Sequence, residues 1–381
     1  MKTKTLLRLY LVMSLLNEPL FWGPVLLLAL AKLGHMSIEQ IFISEAIAMA
    51  LILILDAPSG VFADMIGRKK SVMIGKICIL AQVICTAFMS EPIHGFIANI
   101  LWAIGYSFNS GAKNSLIYDE LKKRGLEKGY QSLLSKTMSY WFLILAGATL
   151  ATGFLAEINL RLPLLLSIPG VVISTILTCF FPKESPYEHN KSLSNAWKHT
   201  KEAMQEVLRN KRLRSLVVWI ALFGVVGKMY FFVYNPYLEL VQIPPSQVGM
   251  VFCLINLVAY TTSKHATEIH EKLKSVGFSV GFFMQSLTML TQAYFTHYLS
   301  GWLFGLQGFG RGYVGVIYDS HLQKEIASEK RATVLSLQSS LGGVLQIFGF
   351  LLMVPLSTNI PVFLGTLGIV ALLFSFLSRK I

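Results

Sequence analysis

Twelve runs of mostly apolar residues, separated by short charged segments, constrain this chain more than any other feature. A helix needs about 20 apolar residues to cross the hydrocarbon core of a bilayer, and the runs are of roughly that length. Hydrocarbon offers backbone amides no hydrogen-bond partner, and the runs lack the alternating pattern of barrel strands, so we predict helices. The predicted spans are residues 8–31, 40–62, 71–90, 95–119, 131–155, 160–181, 214–239, 246–263, 275–296, 298–319, 333–355 and 359–378.

The composition agrees with a protein embedded in a membrane. The chain has 381 residues, of which 54% are hydrophobic and only 14% are charged, and its mean hydropathy is +0.59. One soluble core could not cover so much apolar surface. We therefore expect an all-α polytopic membrane protein, and the composition excludes a soluble enzyme.

Basic residues are distributed unevenly between the two sides of the predicted membrane. Of the 33 Lys and Arg residues, 26 lie on one side, in the termini, the central linker and alternate loops, whereas the other side has only Lys32 and Arg161. The positive-inside rule therefore predicts a cytoplasmic (inner) membrane protein with both termini in the cytoplasm. This topology and contact with anionic lipid account for the net charge of +13, so no nucleic-acid binding is predicted.

A polar linker separates the spans into two groups of six. We predict an N-terminal half at 1–182, a cytoplasmic linker at 183–213 and a C-terminal half at 214–381. Within the linker, Leu193 and Trp197 fall near one helical face, which favours an amphipathic helix lying on the membrane surface. A solvated tether is the alternative.

The two halves share a short repeat. Gly105 is followed by Ile-Tyr-Asp at residues 117–119, and the same pattern recurs 200 residues later at Gly305 and 317–319. The offset pairs span 4 with span 10. Two six-helix pseudo-symmetric halves in parallel register are typical of transporters with a central site between the repeats.

The loop between spans 2 and 3 carries a recognisable signature. Residues 56–70 read DAPSGVFADMIGRKK. This loop resembles the G-x-x-A-D-x-x-G-R-K/R signature of the major facilitator superfamily, and the matching positions are Gly60, Ala63, Asp64, Gly67, Arg68 and Lys69. The resemblance implies a secondary transporter that works by alternating access of its two halves.

The same resemblance implies a conformational latch formed by Gly60, Asp64, Gly67 and Arg68, which in the family stabilises the outward-facing state. The two glycines would allow close helix approach and a tight turn. Asp64 would meet Arg68 and the positive amino end of a neighbouring helix. The alternative is that the basic residues of this loop only set the topology.

Two departures from the family bear on ion coupling. Span 4 lacks the R-x-x-Q-G pattern associated with proton coupling, and span 5 lacks the proline of the antiporter motif. We expect protons as the coupling ion, but the sequence does not establish drug/proton antiport.

Four ionisable residues lie deep in their predicted spans and are our first candidates for substrate binding: Glu18, Lys113, Lys228 and Arg311. An isolated charge at that depth costs roughly 2.5 kcal/mol or more, so these groups should pair or face water. One acid against three bases favours a substrate with a carboxylate or another anionic group, such as an organic acid, a siderophore or an amphiphilic drug. The polar and aromatic residues expected to complete the pocket are Trp22, Asn109, Tyr230, Tyr234, Asn235 and Tyr313.

Structural roles are the alternative for these residues. Glu18 could bridge Lys228 or Arg311 and only hold the halves together, and half of the aromatic and amide side chains could simply pack between helices. Lys76, Lys136 and Glu45 lie about a turn from a span end, so we expect that their charged groups can snorkel to the membrane surface.

No cofactor, metal or catalytic residue is predicted. The sequence has no HExxH, no Walker loop and no metal-ligand cluster, and its four cysteines lie singly in apolar runs. The expected partners of this protein, which we expect to be a monomer, are a small-molecule substrate, protons and lipid. The alternatives are a non-transporting ligand sensor or membrane scaffold, and a membrane-embedded enzyme.

Overall fold

The described chain is built of helices. The computed structural model describes residues 2–126, 129–182, 204–205, 207–273, 277–318, 321 and 331–380, and within these ranges there is no β-strand. Eight of the described helices are long and apolar enough to cross a membrane. Large apolar side chains such as Ile54 (67% exposed) and Leu352 (74% exposed) lie on helix surfaces, as expected where helices face lipid. The predicted all-α class is confirmed.

The chain forms two compact units, Met1–Asn190 and Lys191–Ile381. The first unit contains α1 (Thr3–Leu15), α2 (Leu26–Lys32), α3 (Ile38–Ile66), α4 (Arg68–Ala87), α5 (Pro92–Lys123), α6 (Tyr130–Ile158) and α7 (Arg161–Cys179). Because α1 and α2 together occupy the first predicted span, these helices account for six spans.

The described residues of the second unit also account for six spans. It contains α8 (Lys211–Phe232), α9 (Tyr234–Leu240), α10 (Pro245–Lys264), α11 (Ala266–Leu273), α12 (Gly277–Tyr294), α13 (Arg331–Met353) and α14 (Ile360–Leu377). The span between α12 and α13 consists of a 3-10 helix at Tyr298–Leu306, a single α-turn at Gln307–Phe309, a π-helix at Gly310–Val314 and an α-helical turn at 315–318. Short α11, in the loop after α10, was not predicted.

Three predicted spans are interrupted, so the expectation of continuous helices was wrong there. In the first span, residues 16–25 are not α-helical, and Pro19 and Pro24 lack the amide hydrogen that a helix interior requires. In the seventh, α8 ends at Phe232, four residues before Pro236, whose ring would crowd that residue's carbonyl. The tenth changes helix type along its glycine-rich length.

The predicted linker helix falls mostly outside the described residues. Leu193 and Trp197 lie outside them, whereas residues 204–205 and 207–209 are helical. Asn210 then caps α8, since its side chain accepts hydrogen bonds from the amides of Arg212 and Leu213, both at 3.1 Å. Whether the linker lies on the membrane stays a prediction.

Two glycines let α4 and α5 approach closely. A Cβ added at Gly75 would lie 2.8 Å from the carbonyl oxygen of Gly105, and one at Gly105 would lie 2.9 Å from that of Gly75. Neither position has room for a larger side chain. Lys76 follows Gly75 directly, and Asn109 lies one helical turn after Gly105. The crossing therefore brings these two polar residues into one layer of the unit.

The second unit has a similar crossing. A Cβ at Gly308 would lie 2.2 Å from the carbonyl oxygen of Ile255 on α10, and one at Gly312 would lie 2.3 Å from that of Ala259. The glycines of the tenth span therefore bring its backbone against α10.

Candidate functional site

The interruption of the first span exposes a polar segment inside the first unit. Side chains of neighbouring helices satisfy its backbone: the Phe21 amide donates to Ser167 Oγ at 3.2 Å, and Thr152 Oγ1 donates to the Phe21 carbonyl at 2.9 Å. Ser174 Oγ donates to the Met13 carbonyl at 2.7 Å, near the end of α1. Non-helical backbone is tolerated at membrane depth because α6 and α7 supply these partners.

Lys76 lies at the centre of this polar layer. Its side chain on α4 is fully buried, and Nζ donates to Asn17 Oδ1 at 2.5 Å and to Ser174 Oγ at 2.6 Å. Asn109 Nδ2 donates to the same Asn17 oxygen at 2.8 Å. One network therefore connects the break in the first span with α4, α5 and α7.

The expectation that Lys76 and Glu45 snorkel is wrong. Lys76 is 0% exposed, and Glu45 on α3 is 5% exposed, with one carboxylate oxygen accepting a hydrogen bond from Asn99 Nδ2 at 3.2 Å. Depth along a span was a poor guide here, because polar partners on neighbouring helices replace the water that a snorkelling group would seek. Sequence reasoning thus missed Lys76 and Asn17, although Asn17 stands beside the predicted Glu18.

A cavity of about 200 Å³ opens next to this network. It brings together four of the predicted substrate-binding residues, namely Glu18, Trp22, Asn109 and Lys113. The remaining lining residues are Asn17, Pro19, Ile79, Trp102, Tyr106 and Asn114. The cavity lining therefore combines polar and aromatic side chains, and both the broken span and α5 contribute residues of each kind.

Charges of both signs reach this cavity. Glu18 is exposed and Lys113 is half-buried, and the ion pairs between described residues do not join them. Lys76 adds a second ammonium group behind the lining, where it donates to the lining residue Asn17. Positive charge therefore exceeds negative charge around the cavity.

Aromatic side chains form part of the cavity wall. The rings of Trp102 and Tyr106, one turn apart on α5, have centroids 5.7 Å apart. Trp22 contributes a third ring from the break in the first span. Such rings can pack against an apolar part of a ligand, and a cationic group can lie over their faces.

The other six predicted substrate-binding residues belong to the second unit. Tyr230 is fully buried, and its hydroxyl donates to Gln292 Oε1 on α12. Tyr313 is 1% exposed, and its hydroxyl shares a hydrogen bond of 3.0 Å with His270 Nδ1 on α11. Both hydroxyls are engaged within this unit, which favours the packing alternative for these two tyrosines.

The remaining four residues lie in the seventh and tenth spans. Tyr234 is buried with its ring centroid 4.1 Å from that of Phe304, and Asn235 is buried beside it, with Nδ2 unpartnered among the described residues. Lys228 is half-buried, with Nζ 5.1 Å from the centroid of the Phe232 ring. Arg311 is exposed and lies in the π-helical segment, a helix type common at functional sites.

A family model covers most of this sequence. The model of the Major Facilitator Superfamily matches residues 9–350. The chain belongs to the major facilitator superfamily. The resemblance seen in the loop signature is confirmed, and membership of the superfamily indicates secondary transport and not enzymatic catalysis.

Solved structures of other superfamily transporters share the fold. The nucleoside transporter NupG is 13% identical, with a TM-score of 0.75 and 98% of both chains covered. A POT family transporter in complex with 5-aminolevulinic acid is 14% identical, with a TM-score of 0.71, covering 97% of this chain and 94% of the other. The peptide transporter POT in complex with sulfate is 14% identical, with a TM-score of 0.72 and coverages of 98% and 93%. No curated protein matches this sequence significantly.

The superfamily signature is anchored within the first unit. Arg68 Nη1 contacts the carboxylate of Asp119 on α5, and Lys69 Nζ donates to the carbonyls of Cys179 at 2.7 Å and Phe181 at 2.6 Å, at the end of α7. A cation at the carboxyl end of a helix is favoured by the helix dipole. Asp119, part of the internal repeat, is thus the partner of Arg68 that sequence reasoning missed.

The predictions for the latch residues have different outcomes. Gly67 joins α3 to α4 with φ 111° and ψ 136°, a conformation that favours glycine, so the predicted tight turn is present. A Cβ at Gly60 would meet no atom within 4 Å among the described residues, so the close helix approach expected there is not seen. The side chain of Asp64 lies outside the described part of the chain, and its pairing with Arg68 stays a prediction.

Proposed function

We propose that this protein is a secondary transporter that moves a small molecule bearing a carboxylate or another anionic group across the cytoplasmic membrane by alternating access, coupled to protons. The observation that carries this proposal is the cavity lined by Lys113, with the buried Lys76 network directly behind it. Two ammonium groups against one carboxylate create a positive potential that an anionic group would balance.

The energetics support an anionic ligand. A cation at membrane depth costs roughly 2.5 kcal/mol or more unless it is paired or hydrated. Water or substrate must therefore satisfy Lys113, and a carboxylate does so with a charge-assisted hydrogen bond. Among proteins with the same fold, one POT structure contains sulfate and another contains 5-aminolevulinic acid, so the fold accommodates ligands with anionic groups.

Transport of purified protein in proteoliposomes tests this proposal. We expect uptake of at least one carboxylate-bearing compound, accelerated by an imposed pH gradient and abolished by a protonophore. Lys113→Gln should reduce uptake at least tenfold, which corresponds to about 1.4 kcal/mol of lost binding. Lys122→Gln is the matched control, because Lys122 is exposed on the same helix and outside the cavity.

Two results would contradict the proposal. If carboxylates raise the melting temperature of the purified protein but no flux occurs under any gradient, the protein is a ligand sensor and not a transporter. If only cationic compounds bind, the anionic substrate class is wrong.

The orientation is proposed from the distribution of charge. With both termini cytoplasmic, in a cysteine-free background, Lys123→Cys should react with an impermeant maleimide only from the cytoplasmic side. Ser90→Cys and Thr358→Cys, both exposed, should react only from outside; the neighbouring Ser357 is buried and unsuitable. Labelling of position 123 from outside in intact cells would reverse the orientation.

We further propose that Gly60, Asp64, Gly67 and Arg68 act as a latch. Asp64→Asn removes the anion that would hold Arg68 and a helix amino end, so it should shift the population towards the inward-facing state and slow transport, with little effect on folding. Accessibility of an external reporter cysteine would measure the shift. Lys70→Gln, an exposed change at the start of α4, should leave it unchanged, and an unaltered Asp64→Asn protein would rule out the latch.

A further inference from the structure

The cavity of the first unit presents an anion and a cation to one small volume. Glu18 and Lys113 both line it, and the ion pairs formed by described residues do not connect the two groups. Water or a ligand in the cavity must therefore satisfy each of these two charges. An anionic ligand would satisfy Lys113 but would face the Glu18 carboxylate as a like charge. A ligand with both signs would satisfy both groups.

Asn109 gives an independent indication of what the ligand contains. The Lys76 ammonium can only donate, so the oxygen of Asn17, and not its amide nitrogen, faces it. Asn109 must then turn its own Nδ2 towards that oxygen. This orientation leaves Asn109 Oδ1 buried without a hydrogen-bond partner among the described residues, on a residue that is 4% exposed and lines the cavity. The free acceptor matches an N–H donor on the ligand.

The walls and the size of the cavity restrict the ligand further. Trp22, Trp102 and Tyr106 can pack against an apolar body or lie against an ammonium group. The volume of about 200 Å³ is below the range of roughly 300–1,000 Å³ of drug-sized sites. The cavity therefore fits a small molecule, or the charged end of a larger one.

We propose that the substrate is a zwitterion of the amino-acid kind. Its carboxylate pairs with Lys113, and its ammonium pairs with Glu18 and donates a hydrogen bond to Asn109 Oδ1. This inference rests on the proposed function, since it assigns Lys113 the same anionic group. It adds a requirement for a cationic group in the same molecule, which excludes simple organic acids.

Thermal stabilisation of the purified full-length protein tests the requirement for both charges. The probes are the standard amino acids, the ω-amino acids from β-alanine to 6-aminohexanoate and unblocked dipeptides, each compared with its N-acetylated and its C-amidated form. Aliphatic mono- and dicarboxylates complete the panel. We expect at least one unblocked probe to raise the melting temperature, and both of its blocked forms to bind at least tenfold more weakly.

Two variants assign each charge to its side chain. Glu18→Gln should remove the advantage of the unblocked probe over its N-acetylated form, and Lys113→Gln should remove its advantage over the C-amidated form. Glu157→Gln and Lys122→Gln, exposed changes outside the cavity, should preserve both preferences.

The possible outcomes separate this inference from the proposed function. If N-acetylated probes or simple carboxylates bind as tightly as unblocked amino acids, the zwitterion is excluded and the anionic substrate stands. If the only probes that bind are C-amidated, and therefore cationic, both the zwitterion and the anionic substrate class are wrong. If nothing in the panel binds while carboxylate flux occurs in proteoliposomes, only the zwitterion fails.

Discussion

Replacement of Lys76 by methionine should reduce transport by about thirtyfold while leaving the folded protein at least as stable as the wild type. Methionine removes a charge that is fully buried, and it leaves no partner unsatisfied. Asn17 Oδ1 still accepts from Asn109 Nδ2, and Ser174 Oγ still donates to the Met13 carbonyl. A buried ammonium costs roughly 2.5 kcal/mol or more at membrane depth, so its removal offsets the two lost hydrogen bonds.

The effect on transport follows from the charge of Lys76. At an effective dielectric constant of about 20, opposite charges that are near but not in direct contact attract each other by on the order of 2 kcal/mol. Its loss should weaken binding of an anionic group by about thirtyfold. The network would also lose the donor that orients Asn17 at the cavity. Flux in proteoliposomes and the melting temperature, measured on the same preparation, test the two halves of this prediction.

Lys70→Met is the matched control for this experiment, since Lys70 is exposed on the same helix and should tolerate the change in both measurements. A lower melting temperature for Lys76→Met, with unchanged flux per folded molecule, would assign Lys76 a purely structural role. If both the melting temperature and the flux fall, the methionine variant does not distinguish a structural role from a charge-based role. Lys76→Gln, which keeps one donor for Asn17 without the charge, would then decide: restored stability with absent transport supports the charge-based role, and restored transport contradicts it.

Arg311→Gln should abolish substrate binding, the second large effect we expect. Arg311 is exposed in a π-helical segment of the second unit. A guanidinium can hold a carboxylate through two parallel hydrogen bonds, whereas a glutamine side chain has no charge and an ammonium lacks the fork. Arg311→Lys should therefore retain part of the affinity. Arg212→Gln on α8 is the control, and ligand-induced shifts of the melting temperature compare the variants.

Much of the fold was predictable because a membrane constrains a sequence locally. Hydrocarbon demands apolar side chains and closed backbone hydrogen bonds within each span, so the runs from residue 40 to residue 181 could be identified as helices without knowledge of their neighbours. The superfamily signature was equally local: Gly67 has a positive φ because the turn between α3 and α4 requires it. Depth along the chain likewise pointed to Glu18 and Lys113.

Which polar side chains contact one another depended on the tertiary structure. Sequence alone placed Lys76 near a span end and suggested that it would reach water, whereas close packing at Gly75 and Gly105 places it against Asn17 and Ser174. The break in the first span was equally hidden, because a helix can be interrupted at membrane depth only where neighbours such as Thr152 and Ser167 satisfy the freed backbone groups. Hydropathy is a property of residues in order along the chain, but a buried charge is stabilised by groups distant in sequence. The sequence by itself therefore determined the helices and the family, and only the tertiary structure decided which polar groups share a cavity.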